Sequence, residues 1–112
     1  MADTAWTTIS ITGGTGAPAR VITTGDTAIV SRLRFQVFAE ATVAFDVRGA
    51  VGSGADLTYV DMVYTNVGTG AEVAAGTDID SNGIYEVDCS GLTIAFLATT
   101  GTAQVRYVVL LG

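Results

Sequence analysis

The chain has 112 residues, of which 49% are hydrophobic and 14% are charged. This balance excludes intrinsic disorder, because a disordered chain needs low hydrophobicity and high charge to resist collapse. The length suits one compact domain, and we assign residues 1–112 to it. A small monomer usually carries about a quarter or more of charged residues on its surface. We therefore expect an oligomer that covers part of this weakly charged surface.

The formal net charge is −6, and the sequence contains five arginines but neither lysine nor histidine. The chain therefore lacks the cationic patch that nucleic-acid binding needs for contacts with phosphates. The absence of histidine and lysine also excludes Ser-His-Asp triads, Cys-His pairs and Schiff-base lysines. Cys89 is the single cysteine, so it can form neither an intrachain disulfide nor a cysteine-based zinc site. We expect a protein that is not an enzyme and has no cofactor.

The first residues lack the basic and apolar regions of a signal peptide, and no apolar run approaches membrane-spanning length. Synthesis in the cytoplasm, without a membrane partner, is therefore expected. Residues 1–24 are polar and glycine-rich, with strands predicted at 6–12 and 19–23. This segment is predicted to be either an N-terminal arm that orders on a partner or an ordinary first hairpin.

In the next segment, 28–39, apolar and polar residues alternate as they do in a half-buried strand. Leu33, Phe35 and Val37 fall on one face, opposite two arginines and a glutamine. Residues 42–48 repeat the pattern with Val43, Phe45 and Val47 facing inward. The two segments are predicted to form a hairpin or one bent strand.

Four more strands are predicted at 57–65, 84–89, 92–98 and 103–111, separated by glycine-rich turns. About seven or eight short strands in all indicate an antiparallel β-sandwich of the jelly-roll type. The turn glycines are expected at 13–16, 49–54, 68–70, 83, 91 and 101, where tight connections need positive φ angles.

The last strand has apolar residues on both faces, because Val108 and Leu110 lie opposite the main apolar face. It is either a central strand buried on both sides or a strand with an outer patch that meets another subunit. Val30 and Phe38 also lie on a mostly polar face and favour the second alternative. We therefore predict an interface at Val30, Phe38, Val108 and Leu110.

The acidic residues between 78 and 88 could hold a metal ion or form a carboxylate pair. Asp78, Asp80 and Asn82, followed by a glycine, match the first half of a calcium loop. The position that should carry the closing glutamate is Cys89, so a plain Asn-Gly hairpin turn is favoured over a calcium site. Glu86 and Asp88 alternate with apolar residues, which is typical of the solvated side of a strand and disfavours a carboxylate hydrolase.

Four segments carry a family resemblance: 42–49 (TVAFDVRG), 64–71 (YTNVGTGA), 82–92 (NGIYEVDCSGL) and 101–107 (GTAQVRY). With the strands between them, they resemble small β-sandwich virion proteins of tailed phages. These occur as capsid decoration (cement) proteins, head fibres and tail-associated modules. The resemblance implies a homotrimer on the capsid exterior that binds the major capsid protein or another virion protein and stabilises the shell.

A receptor- or carbohydrate-binding module of a phage tail or fibre is the alternative function. Trp6 and the four tyrosines could stack on sugars, although a lone aromatic residue in a strand is more often a core or interface anchor. Exposed aromatic side chains in a groove would distinguish this alternative from a decoration protein.

Overall fold

The structure is a computed structural model, and it describes residues 7–12, 19–22, 31–39, 43–51 and 57–111. The regular elements of these ranges are all β-strands, which confirms the predicted all-β class. No helix that could cross a membrane is found in the described ranges. The strands are β1 (Thr7–Thr12), β2 (Ala19–Ile22), β3 (Ser31–Ala39), β4 (Ala44–Val51), β5 (Val60–Asp61), β6 (Tyr64–Asn66), β7 (Ala71–Val73), β8 (Gly83–Asp88), β9 (Leu92–Thr100) and β10 (Thr102–Leu111).

The strands form two antiparallel sheets. The six-stranded sheet has the order β1-β10-β3-β8-β6-β7, and the four-stranded sheet has the order β2-β9-β4-β5. When the short β6–β7 hairpin is set aside, four strands remain in each sheet, in the order of a jelly roll. The predicted sandwich of the jelly-roll type is therefore confirmed, with an added hairpin at one edge of the larger sheet.

The core lies between the inner faces of the two sheets. The alternation predicted for the central strands is confirmed, because Leu33, Phe35 and Val37 of β3 are fully buried. Phe45 and Val47 of β4, in the four-stranded sheet, are buried as well. Burying an aliphatic or aromatic side chain of this kind contributes about 1.5–3 kcal/mol, so these inner faces supply most of the folding free energy.

Three phenylalanines join the two sheets at the centre of this core. The ring of Phe96 from β9 lies 4.8 Å from that of Phe35 and 5.3 Å from that of Phe45, measured between ring centroids. Phe35 belongs to the six-stranded sheet, whereas Phe96 and Phe45 belong to the four-stranded sheet. The tilted and edge-on ring pairs are the arrangements that aromatic side chains favour. Phe96 thus connects the two layers.

The strand predicted at 57–65 is in fact two strands. The first of them, β5, pairs with β4 in the four-stranded sheet. The chain then crosses to the six-stranded sheet, where β6 pairs with β8. The backbone N–H of Met62 still donates to the carbonyl oxygen of Val47 at 2.9 Å, just before the crossing. A period of two predicts extended backbone on either side of this crossing but gives no sign of the change of sheet. The short strand β7 was not predicted.

The segments predicted as a hairpin or a bent strand are β3 and β4, and they belong to different sheets. They do not pair with each other, so the hairpin alternative is wrong. The two strands within 1–24 are also divided, since β1 pairs with β10 and β2 pairs with β9.

Two glycines assigned to turns lie in strands. Gly49 is part of β4, and Gly83 is the first residue of β8. Among the described residues, positive φ angles occur at Gly70, Gly76, Gly91 and Gly101. A tight hairpin turn at 82–83 would need a positive φ at Gly83. The predicted Asn-Gly turn is therefore wrong.

Candidate functional site

The inner face of β4 continues past the end of the core. Phe45 and Val47 are buried. Val51 lies on the same face of β4, four residues beyond Val47, and is 83% exposed. Leu92, the partner of Val51 in β9, is only partly buried, whereas Ile94 on the same face of β9 is fully buried. The apolar inner face of the four-stranded sheet therefore extends beyond the region where the sandwich closes over it.

An open cavity of about 440 Å³ lies at this end of the sheet. Val60 of β5 and Met62, which follows β5, form the wall of the cavity beside β4. Val60 is 59% exposed. We call the surface formed by Val51, Leu57, Val60, Met62 and Leu92 the apolar rim. Exposed apolar surface that surrounds a concave site is typical of a binding surface.

Strand β5 is the edge strand of the four-stranded sheet. It pairs with β4 over only two positions, Asp61 with Arg48 and Val60 with Gly49. Because side chains alternate across a strand, Val60 lies on the side of the rim and Asp61 lies on the outer face of the sheet. The rim and the outer face therefore meet along one exposed edge.

The outer face of the four-stranded sheet carries a cluster of carboxylates. The backbones of Phe45 and Ile79 form an isolated antiparallel bridge, with N–H to carbonyl distances of 3.2 and 2.9 Å. Ile79 is buried, and its neighbours Asp78 and Asp80 are exposed. This bridge places Asp78 beside Asp46. We call Asp46, Asp61, Asp78 and Asp80 the acidic cluster.

Arg48 contacts two members of the acidic cluster. Its Nη2 donates to Oδ2 of Asp46 at 3.2 Å, and its Nε lies 3.4 Å from Oδ1 of Asp61. The carboxyl group of Asp78 lies within hydrogen-bonding reach of that of Asp46. This proximity, with partial burial and the charges of Asp46, Asp61 and Asp80, raises the pKa of Asp78 to about 6. One arginine beside four carboxyl groups leaves this part of the surface negative.

Tyr64 lies near the same cluster. Its hydroxyl group donates to the carbonyl oxygen of Thr77 at 2.9 Å and holds the segment before Asp78 against the sandwich. Burial, and then the nearby Tyr85 hydroxyl and acidic side chains, raises the pKa of Tyr64 to about 12. Tyr64 is therefore protonated at neutral pH and serves as a hydrogen-bond donor.

The three candidate calcium ligands are not brought together as a calcium loop. Oδ1 of Asn82 accepts a hydrogen bond from the backbone N–H of Ala39 at 2.7 Å. Asp78 is engaged with Asp46 of β4. Within the described ranges, no group of three or more acidic or cysteine side chains could hold a metal ion.

The carboxylates considered for hydrolysis are divided between the two sheets. Asp78 lies against β4, whereas Glu86 lies on the outer face of the six-stranded sheet. Glu86 accepts hydrogen bonds of 2.8 Å from both Arg32 and Arg34. Oδ1 of Asp88 accepts a hydrogen bond from the backbone N–H of Ser90 at 3.0 Å. These contacts agree with the prediction that Glu86 and Asp88 lie on the solvated side of a strand.

The predicted interface residues differ in exposure. Phe38 is 39% exposed, and the guanidinium carbon of Arg106 lies 5.6 Å from the centre of its ring. Val108 is only 5% exposed and Leu110 is partly buried, although both lie on the outer face of β10. Val30 lies outside the described residues. Of the three described members of the set, Phe38 therefore offers most surface to a neighbour.

The apolar rim was missed in the sequence. Residues 49–54 are predicted to form a glycine-rich turn, which ends the predicted strand at Arg48. The odd-numbered positions from Val43 to Val51 are all apolar or glycine, and this parity extends the strand by three residues. No pattern in the sequence shows where the opposite sheet stops covering that face.

The sequence matches no protein-family profile and no curated protein. Among solved structures, the crystal structure of the SPBc2 prophage-derived protein YomS is similar, with a TM-score of 0.57 and 15% sequence identity. The alignment covers 98% of this chain and 97% of that protein. At this identity the similarity shows a shared fold and nothing further.

Proposed function

We propose that this chain is a non-enzymatic structural protein of a phage particle, namely a capsid decoration protein that self-associates and stabilises the shell from outside. The observation that carries the proposal is the apolar rim, where the inner face of the four-stranded sheet is left uncovered at Val51 and Val60. Such a surface is costly to leave in water and is suited to docking on a larger assembly. The shared fold with a prophage-derived protein supports a phage origin.

A decoration protein needs one surface for the shell and another for its own copies. The apolar rim is at the end of the four-stranded sheet, and Phe38 lies on the outer face of the six-stranded sheet. We assign the rim to the shell and the surface around Phe38 to self-association. Ile84, which is also exposed, extends the second surface because it lies opposite Gln36 in the neighbouring strand.

The carbohydrate-binding alternative receives no support from the cavity. Its described lining consists of aliphatic residues, glycine, methionine and threonine, so it offers no ring on which a sugar could stack. Tyr64 and Tyr85 are both buried, and each hydroxyl group donates to a backbone carbonyl oxygen.

The test is binding to phage shells that were assembled without this protein. We expect the purified chain to co-sediment with such shells and to raise the temperature at which they disrupt. Val51→Asp should abolish co-sedimentation, because a carboxylate placed in an apolar contact loses its hydration. Val67→Asp is the matched control, since Val67 is an exposed valine in the turn between β6 and β7, which belong to the other sheet. Equal binding by both variants would refute the assignment of the rim.

A further inference from the structure

The edge strand β5 separates two surfaces of opposite chemistry. On one side lies the apolar rim, with Val60 and Met62 at the cavity. On the other side lies Asp61, next to Arg48 and the rest of the acidic cluster. A strand added to this edge would have its side chains in contact with both surfaces, because neighbouring strands share the same two faces.

We propose that β5 and the apolar rim bind one extended segment of the shell protein in which apolar side chains alternate with lysine or arginine. The apolar side chains enter the rim beside Val60 and Met62, and the basic side chains lie beside Asp61. This is strand addition to an exposed sheet edge, in which main-chain hydrogen bonds supply affinity and alternate side chains supply specificity. The inference rests on the proposed function for the source of the segment, but the chemistry of the segment follows from the edge itself.

The size of the cavity agrees with such an occupant. Its volume of about 440 Å³ falls within the range of about 300–1,000 Å³ that is usual for sites enclosing a bound group. The methionine in its wall is flexible and can adapt to the side chain that enters.

Charge selects a basic segment. The acidic cluster contains four carboxyl groups, and Arg48 is the cation that contacts them within the described ranges. A lysine or arginine beside Asp61 reduces the mutual repulsion of these carboxylates, whereas a glutamate there increases it. The effect is electrostatic and will weaken as the salt concentration rises.

A second copy of this chain is a poorer occupant of the edge. Each copy carries a net charge of −6. Three of its five arginines, at 32, 34 and 106, lie in β3 and β10, which are central strands and cannot be inserted as an edge segment without unfolding the larger sheet. A basic segment of a different protein is therefore the better match for this edge.

The experiment measures binding of fluorescein-labelled peptides to the full chain by fluorescence anisotropy. The first peptide alternates valine with lysine, the second has glutamate in place of lysine, and the third has the composition of the first with the alternation broken. We expect the first peptide to bind about tenfold more tightly than either of the others, and this preference over the glutamate peptide should shrink at high salt.

Three variants locate the binding on the protein. Asp61→Asn should reduce both the affinity for the lysine peptide and its salt dependence. Gly49→Ala should weaken binding without unfolding the chain, because the added Cβ would lie 2.8 Å from Sδ of Met62 and force that flexible side chain to move at the cavity. Val67→Asp, in the other sheet, should bind the peptide as the unsubstituted chain does.

Each other outcome overturns a defined part of the inference. If the chain binds shells but shows no preference for the lysine peptide, the proposed segment is wrong and the proposed function stands. If the lysine peptide binds but shells do not, the edge has the inferred specificity and the decoration function is wrong. If Val51→Asp converts an oligomer into a monomer, a second copy occupies the rim, and the inference is overturned.

Discussion

The carboxyl groups of Asp46 and Asp78 lie within hydrogen-bonding reach of each other on the outer face of the four-stranded sheet. Two carboxyl groups can form a hydrogen bond only when one of them carries a proton. Oδ2 of Asp46 already accepts from Arg48, and Oδ1 of Asp46 is buried with no donor from the described residues. A proton on Asp78 therefore supplies a donor to a carboxylate that is incompletely satisfied.

The first prediction concerns the dependence of stability on pH. The pKa of Asp78 is about 6 in the folded chain, above the value of about 3.9 for an unfolded aspartate. The folded state therefore binds this proton more tightly, and the resulting stability is complete below about pH 4 and is lost as the pH rises through about 6. The thermal midpoint of the chain, followed by circular dichroism, should fall between pH 5 and pH 7.5.

Two variants separate this effect from other titrations. Asp78→Asn should remove the fall between pH 5 and pH 7.5 and should be more stable than the unsubstituted chain at pH 7.5. Glu72→Gln, which removes an exposed carboxylate from β7, should keep the fall. If Asp78→Asn and the unsubstituted chain lose the same stability over this interval, Asp78 is not the group responsible.

The second prediction compares two phenylalanines. Phe96 is fully buried between Phe35 and Phe45, so Phe96→Ala should lower the free energy of unfolding by about 3–5 kcal/mol through lost contacts and a cavity. Phe38→Ala removes the same side chain from a half-exposed site and should cost about 1 kcal/mol or less. Urea denaturation measures both. Equal losses would show that Phe96 is not the centre of the core.

The sequence predicted the fold class because the burial pattern of long strands has a period of two. In β3, Leu33, Phe35 and Val37 face inward as that period requires, and in β8 the same holds for Tyr85 and Val87. It did not predict the change of sheet between Asp61 and Tyr64, since extended backbone continues on both sides of the crossing. Which sheet a strand joins depends on long-range contacts that alternation does not encode.

The candidate site was predicted less well than the fold. Apolar residues on the outer face of β10 indicated a surface patch, but Val108 is buried and contributes almost nothing to that surface. The apolar rim depends on where one sheet ends relative to the other, and this is a property of the packed layers. Val51 looks like any inward-facing strand residue until the opposite layer is in place.

The third prediction concerns Glu86, whose side chain is only 13% exposed between two arginines. Oε1 contacts Arg32 and Oε2 contacts Arg34, each at 2.8 Å. Glu86→Gln keeps the shape but removes the charge, and it should lower the free energy of unfolding by about 1–2 kcal/mol at low salt, because bonds between charged groups are stronger than neutral ones. The loss should shrink in high salt.

Asp61→Asn is the matched control for this pair. The Asp61 carboxylate is 42% exposed and lies 3.4 Å from Arg48, and exposed pairs of this kind contribute about 0.2–1 kcal/mol. Its removal also relieves repulsion within the acidic cluster, so the net change in unfolding free energy should be close to zero. A loss for Asp61→Asn as large as that for Glu86→Gln would contradict the ranking of these contacts.

The last prediction tests self-association through the surface around Phe38. Phe38→Asp should weaken the oligomer about tenfold or more, because a carboxylate buried against an apolar partner surface loses its hydration without gaining a new bond. In the free chain the new carboxylate can pair with Arg106, whose guanidinium carbon lies 5.6 Å from the centre of the Phe38 ring, so the fold should be retained. Light scattering gives the mass, and circular dichroism checks the fold. Val67→Asp should leave the mass unchanged, and an unsubstituted chain that is already monomeric would rule out this surface as a contact between copies.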